Sequence, residues 1–266
     1  MSYYTSISGL KNAQTDLNVI SHNIANAETN GFKKSRVEFA DIVAGSAFTN
    51  PKQQQGIGSA VDSITQNFSI GPVEQTGSAL DVAITGDGFF KIKAPGGPDM
   101  YTRNGSFSVD ENGFLNDGLG NRLQAFAKDA TSGDPVDMQI PAKSESGNGT
   151  FTGVTISGKG VITASYSDGS NTQIGTVALA TFIAPNGLKQ IGSSNWQQTG
   201  LSGAATFGTP DTGSNGALLS GSIEHSNVDV AEELVNLITA QRYFQANAKA
   251  IDTATQISQT IIGLRT

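Results

Sequence analysis

Residues 234–262 read LVNLITAQRYFQANAKAIDTATQISQTII, and residues 10–27 read LKNAQTDLNVISHNIANA. In the second stretch Leu10, Ala13, Leu17, Ile20, Ile24 and Ala27 recur at spacings of three and four, with Lys11, Asn12, Asp16 and Asn18 between them. That period lays apolar side chains along one side of a helix. The first stretch carries the same spacing through Leu234, Leu237, Gln241, Phe244, Ala248, Ile251, Thr255, Ser258 and Ile262, while Val235, Ile238, Ile257 and Ile261 widen the stripe beyond a two-stranded seam. The pattern predicts helices over residues 3 to about 30 and about 230 to 265. The fold class that follows is a mainly β body with long N- and C-terminal helices that pair as an α-helical coiled-coil domain, discontinuous in sequence (1–32 and 228–266). A stripe this wide wants more than one neighbour, so other copies of the chain are expected against it; a closed helical hairpin is the plainer alternative.

The second helix has a legible start. Asp229 is placed to cap it with Glu232 three residues on, Glu232 and Glu233 suit the positive end of the helix dipole, and Arg265 suits the other end. The first helix is expected to stop around Gly31. Residues 33–71, with Phe39, Ile42, Val43 and Phe48 before Pro51 and Gln53-Gln54-Gln55, read as an extended linker arm.

Between the helices the period falls to two. Leu80 to Ile84, Phe89 to Lys93 and Thr176 to Phe182 read as strands, and Asn104-Gly105, Asn112-Gly113, Asp117-Gly118, Asp168-Gly169 and Asn186-Gly187 as tight turns. An antiparallel β-rich body over 72–227 is expected. Ser, Gly, Thr and Asn dominate 129–160 and 192–216, which read as long loops, an edge or a small outer lobe, the lobe falling within 129–175.

The chain has 266 residues and a mass of 27.5 kDa, 37% of its residues are hydrophobic, and 32 are Gly, so turns and thin sheets are favoured over a deep core. It has no Cys, which excludes disulfides, thiol nucleophiles and thiolate metal sites. The net charge of -7 is unevenly spread: residues 1–40 carry four basic and three acidic side chains, 41–220 nine and fifteen, and 221–266 three and five. Nearly neutral ends can be crowded together in many copies without strong repulsion. No cleavable signal or membrane span is expected. Lys33, Lys34 and Arg36 form too small a basic cluster for nucleic acid and read as a solvated helix exit.

Catalytic, cofactor and metal readings find no support in the pattern. His22 and His225 lack the cysteine or spaced carboxylates of a metal site. Gly118-Leu119-Gly120 lacks the third glycine of a dinucleotide loop, Gly86-Asp87-Gly88 lacks the lysine and serine of a phosphate loop, and no nucleophile elbow is present. A secreted β-rich binding module shares the composition, but does not need a seam at both termini.

The segment Asn23-Ile24-Ala25-Asn26-Ala27-Glu28-Thr29-Asn30-Gly31-Phe32-Lys33, after Ser8-Gly9-Leu10, resembles the N-terminal signature of the bacterial flagellar rod and hook proteins, with Asn23, Asn26, Thr29, Gly31, Phe32 and Lys33 as its marked positions. Leu80 to Phe90 with Tyr101 to Phe107 resembles the start of that family's β domain, and Ser226 to Asp229, Glu233 to Asn236 and Ala240 to Arg242 its C-terminal region. The resemblance implies a non-enzymatic, self-assembling building block of the flagellar axis without cofactor. Its paired helices would form the inner tube, and it would leave the cell by the flagellar type III route to become extracellular without inserting in a membrane. The implied partners are copies of itself, rod and hook-filament junction proteins, the hook cap and the export apparatus. Within the family the linker from Phe39 to Gly71 and the ending Ile262-Gly263-Leu264-Arg265 are closer to the hook protein, which joins rod to filament and transmits torque. A rod subunit is the alternative, favoured by the little room left for the outer domains many hook proteins carry.

Overall fold

The computed structural model describes residues 2–44, 56–128, 130, 133–144, 147 and 149–263. Phe48, Pro51 and Gln53 to Gln55 of the expected arm, and Arg265 at the helix end, lie outside these residues. The chain divides into two units. Unit 1 gathers 1–27, 34–67 and 228–266, and unit 2 gathers 28–33 and 68–227.

Unit 1 contains α1 (Ser2–Ala25), β1 (Ser35–Val43), β2 (Gly56–Gln66) and α2 (Val230–Gly263). α1 and α2 contact each other. The segment expected as an extended arm instead doubles back: β1 and β2 pair antiparallel, from Ser35 opposite Gln66 to Val43 opposite Gly56, with irregularities at Glu38/Phe39 and Ile42/Val43. Period-two stretches in both halves of the arm allow this pairing. The ribbon leans on α1, where Asn12 Nδ2 donates to Ser59 Oγ at 2.8 Å and a Cβ on Gly58 would stand 2.3 Å from Ser8 Oγ. α2 begins where expected: Asp229 Oδ1 accepts from the backbone N–H of Ala231 at 2.8 Å and of Glu232 at 3.2 Å.

Unit 2 opens with β3 (Val73–Gln75), β4 (Val82–Thr85), β5 (Phe89–Lys93), β6 (Asp99–Thr102), β7 (Ser108–Val109), β8 (Leu115–Asn116), β9 (Arg122–Ala127) and β10 (Val136–Asp137). It continues with β11 (Phe151–Ile156), β12 (Val161–Tyr166), β13 (Asn171–Val177), β14 (Leu179–Thr181), β15 (Lys189–Gly192), β16 (Asn195–Gln197), β17 (Thr206–Gly208), β18 (Ala217–Ser220) and β19 (Ser222–Glu224). The main sheet runs β11-β12-β13-β9-β5-β6-β16-β15, with β10 and β8 on β9, β7 on β8, β14 on β5 and β17 on β14. β18 pairs with β4, and β19 with β3.

Asn112-Gly113, Asp117-Gly118 and Asp168-Gly169 do turn β7 into β8, β8 into β9 and β12 into β13, each with its glycine at positive φ. The other two dipeptides serve differently. Asn104-Gly105 sits where a Cβ on Gly105 would lie 1.6 Å from the Val82 carbonyl oxygen, and Asn186-Gly187 belongs to a 3-10 turn over Pro185–Gly187. Of the readings open for 129–175, the sheet edge is the one that residues 151–177 follow: β11 to β13 continue the main sheet, with β11 at its end. Their Val154, Ile156, Ile162, Ala164 and Tyr166 face the same core as Phe90, Leu123 and Leu179, an alternation hidden among Ser, Thr and Gly. A second cluster joins Phe89, Tyr101, Ala180, Leu188 and Trp196, with Phe68 edge-on to Phe89 and Trp196 at centroid distances of 5.4 and 5.5 Å.

Candidate assembly site

The helix pair of unit 1 is antiparallel. A Cβ on Gly9 would stand 2.6 Å from Asn247 Oδ1, and Asn23 Nδ2 donates to Glu233 Oε2 at 3.1 Å. Fourteen residues separate these points on either helix, an overlap of about 21 Å at helical rise. Gly9 is what allows the approach at that point, since any side chain there displaces Asn247.

The predicted stripe divides. On α1, Ala13 and Ile20 are buried and Leu10, Leu17 and Ile24 half-buried, but Ala27 lies past the helix end, in a turn. On α2, Leu237, Phe244, Ala248 and Ile251 are half-buried, whereas Leu234 is 47% and Ile262 69% exposed. The covered side of α2 passes instead through Glu233, Leu237, Ala240, Phe244, Asn247 and Ile251. Apolar-pattern reasoning takes Leu234 and Gln241 inward and gives Glu233 only a role at the helix dipole. Glu233 is inward because Asn23 and Lys34 satisfy its carboxylate, and Ala240 because a small side chain suits a close helix contact.

Leu234, Val235, Ile238, Tyr243, Ile257, Ile261 and Ile262 are thus left exposed along α2. These exposed apolar side chains make α2 the candidate interaction surface of unit 1.

At the blunt end of the pair a polar clamp sets the register. Asn23 Nδ2 donates to the Ser35 carbonyl at 2.8 Å, and Asn23 Oδ1 accepts from the Ser35 N–H at 2.9 Å, so the side chain pairs like a strand neighbour. Lys34 Nζ lies 3.2 Å from Glu233 Oε1 and 3.1 Å from Glu232 Oε2. Partial burial works against the charge of Lys34, but the hydrogen bonds to Glu232 and Glu233 outweigh it and hold the ammonium above its ordinary value. Asp16 is raised, by burial first and by the Glu233 charge second. A carboxyl whose folded value exceeds its unfolded one opposes folding once ionised, and the penalty is relieved as pH falls through the folded value. Asp16→Asn is therefore expected to stabilise the chain at pH 7 by up to about 1 kcal/mol. In denaturant unfolding at a series of pH values the gain should vanish below the ordinary Asp value of 3.8.

The other signature residues lie in or beside the segment that joins unit 2. Asn26 Nδ2 donates to the His22 carbonyl at 2.8 Å and finishes the last turn of α1. The Thr29 carbonyl accepts from Phe32 N–H at 3.2 Å, tightening a turn that delivers Gly31 at φ 67° to the body. There Gly31 N–H donates to the Glu224 carbonyl at 2.8 Å, and a Cβ on Gly31 would stand 2.5 Å from the Asn104 nitrogen. Phe32 and Lys33 are buried. The reading of Lys33 as part of a solvated exit is corrected: it is 0% exposed, 2.5 Å from Glu224 Oε1, and donates to the Ser69 carbonyl at 2.7 Å. Burial pulls its ammonium below the ordinary value, and Glu224 works against that shift.

Three family models match in turn: "Flagella basal body rod protein" over residues 4–33, "Flagellar hook protein FlgE/F/G D1 domain" over 83–164, and "Flagellar basal body rod FlgEFG protein C-terminal" over 219–264. The first and last fall on the helix pair and its exits, the second on the sheet. The chain belongs to the flagellar basal-body rod and hook family of axial structural proteins. It is 38% identical to the flagellar basal-body rod protein FlgG of Bacillus subtilis over 99% of this chain and 98% of the relative. It is 37% identical to that of Buchnera aphidicola subsp. Schizaphis graminum over 98% of each. The flagellar hook protein FlgE of Salmonella typhimurium is 28% identical over the whole of both chains, in an alignment of 410 positions. No helix among the described residues is long and apolar enough to cross a membrane.

Proposed function

We propose that the chain is a rod subunit of the flagellar axis, polymerising into a tube whose inner wall is a coiled-coil domain of α1 and α2. The observation that carries the rod reading is length. The rod relatives align end to end with few gaps, in 276 and 281 positions against 266 residues, whereas the hook relative needs 410. Hook-like features of the linker favour the second reading, a short hook subunit. The seam positions Leu10, Ala13, Leu17, Ile20, Ile24, Leu237, Phe244, Ala248 and Ile251 serve the pair within one copy on this reading, and Leu234 and Ile262 serve contacts to neighbouring copies. Neighbouring rod and hook proteins, the cap and the export apparatus are its further partners, and flagellar type III export its route out of the cell.

The test is fractionation of basal bodies from cells carrying a tagged chain, before and after hooks are detached. A rod subunit stays with the basal bodies after hook removal. Recovery of the tag in the detached hooks alone would sink the rod reading and leave the hook one.

A further inference from the structure

Unit 2 is closed by its own two ends. The segment 28–33 and strands β3 and β4 stand at the start of the unit, and all three find their partners in residues 217–225. Gly31 N–H donates to the Glu224 carbonyl, β3 pairs with β19, β4 with β18, and His225 N–H donates to the Pro72 carbonyl at 2.9 Å. The ladders of the main sheet run within residues 89–208; the two sets meet where Val82 N–H donates to the Gly105 carbonyl at 2.9 Å and where Val82, Ile84 and Leu218 pack into the sheet's core.

At the centre of the closure is a buried charge cluster. Glu224, 1% exposed, receives Lys33 Nζ and the Gly71 N–H, at 2.5 and 2.9 Å, on Oε1. Arg103, 2% exposed, stands with Nη1 3.6 Å from Glu224 Oε2 and 3.0 Å from the Gly86 carbonyl. Two interior cations therefore face one interior anion, with the charge of Asp87 reaching Arg103 from the surface. Among the described residues, Arg103 Nε and Glu224 Oε2 have no hydrogen-bond partner. Such a cluster is a poor source of net stability, yet removing its anion strands two desolvated cations.

We infer that residues 28–33, 69–85 and 217–226 form a clasp that opens and closes as one step, separate from the sheet at 89–208, and that Glu224 is the group whose arrival permits closure. The cluster adds little net stability to the clasp, and its strand pairs, more than 130 residues apart in sequence, form late because long loops must close first. A chain emerging N-terminus first can build its sheet while Lys33 and Arg103 remain in water.

Hydrogen exchange on the full chain under native conditions tests this. In Glu224→Gln the amides of Gly31, Thr76, Gly221 and His225 are expected to exchange together, about 100-fold or more faster, while Leu123 to Phe126 and Ile162 to Ala164 keep their rates. Lys33→Met, which removes the surplus cation, should accelerate the clasp less, and added to Glu224→Gln it should recover part of the loss. Equal acceleration of clasp and sheet, acceleration at Glu224's neighbours alone, or simple additivity of the two changes overturns the inference. Should Glu224→Gln not fold, the wild-type chain in low denaturant decides: clasp amides must share one opening that precedes that of the sheet, and a single common opening for both sets refutes it.

Discussion

Gly31→Ala is expected to raise the reactivity of Lys33 toward an amine-directed acylating reagent by about two orders of magnitude. Two costs combine at this position. A non-glycine residue held at the φ of 67° found here loses roughly 1–2 kcal/mol to steric conflict with its own backbone. The added Cβ also meets the Asn104 nitrogen at 2.5 Å and the Arg103 carbonyl carbon at 2.8 Å, backbone atoms that cannot swing aside, for roughly 1–3 kcal/mol more. The sum, about 3 kcal/mol, corresponds to about two decades in the opening that exposes Lys33. Gly77→Ala separates the terms, because Gly77 has φ 74° with nothing within 4 Å of its would-be Cβ. It should show the backbone cost alone. Equal effects of the two substitutions would refute a steric seat for Gly31 against the body.

Leu234→Asp is expected to abolish polymerisation while leaving the monomer unchanged to within about 0.5 kcal/mol. Leu234 is half in water already, so the isolated chain loses little when it becomes polar. In a tube the same carboxylate is desolvated with no partner, at several kcal/mol per copy, and every copy in the polymer repeats the penalty. Leu237→Asp, three residues on and on the Glu233–Ala240 side, should instead loosen α1 from α2 in the monomer itself. Sedimentation of polymer and circular dichroism of monomer distinguish the pair. Tubes forming at the ordinary rate from Leu234→Asp would remove the exposed face of α2 from the assembly.

The parts of this fold that the sequence makes legible are those where one physical rule acts alone. Apolar spacing marks both helices, a partly alternating run marks β5, and Asp or Asn before Gly marks three hairpin turns. What escaped are places where a second interaction overrides the first rule. Glu233 and Lys33 are charges that go inside because specific partners wait for them, from Asn23 and Lys34 in one case and Glu224 in the other. Periodicity has no term for that. The family resemblance did single out Asn23, Gly31 and Lys33, without supplying the reason; the reason is a side chain imitating a strand, a backbone seat with no room for a Cβ, and a buried ion pair. β11 to β13 were hidden for a different cause, since their outward positions are Ser, Thr and Gly and the inward apolar ones are few.

The ribbon of β1 and β2 bears on a hazard particular to a protein whose work is self-association. Its pairing in the described residues is to itself alone, and it carries Phe39, Ile42, Val43, Ile57 and Ile64 in the open. Flat strands of that composition, crowded by a growing polymer, stack into amyloid-type sheets. The two irregularities, at Glu38/Phe39 and Ile42/Val43, fall beside the most apolar stretch. Each adds local twist and breaks the even row of backbone donors and acceptors that a stranger's strand would need. The ribbon is thereby a poor template for misassembly, and copies of the chain can be concentrated with less risk of strand-to-strand sticking.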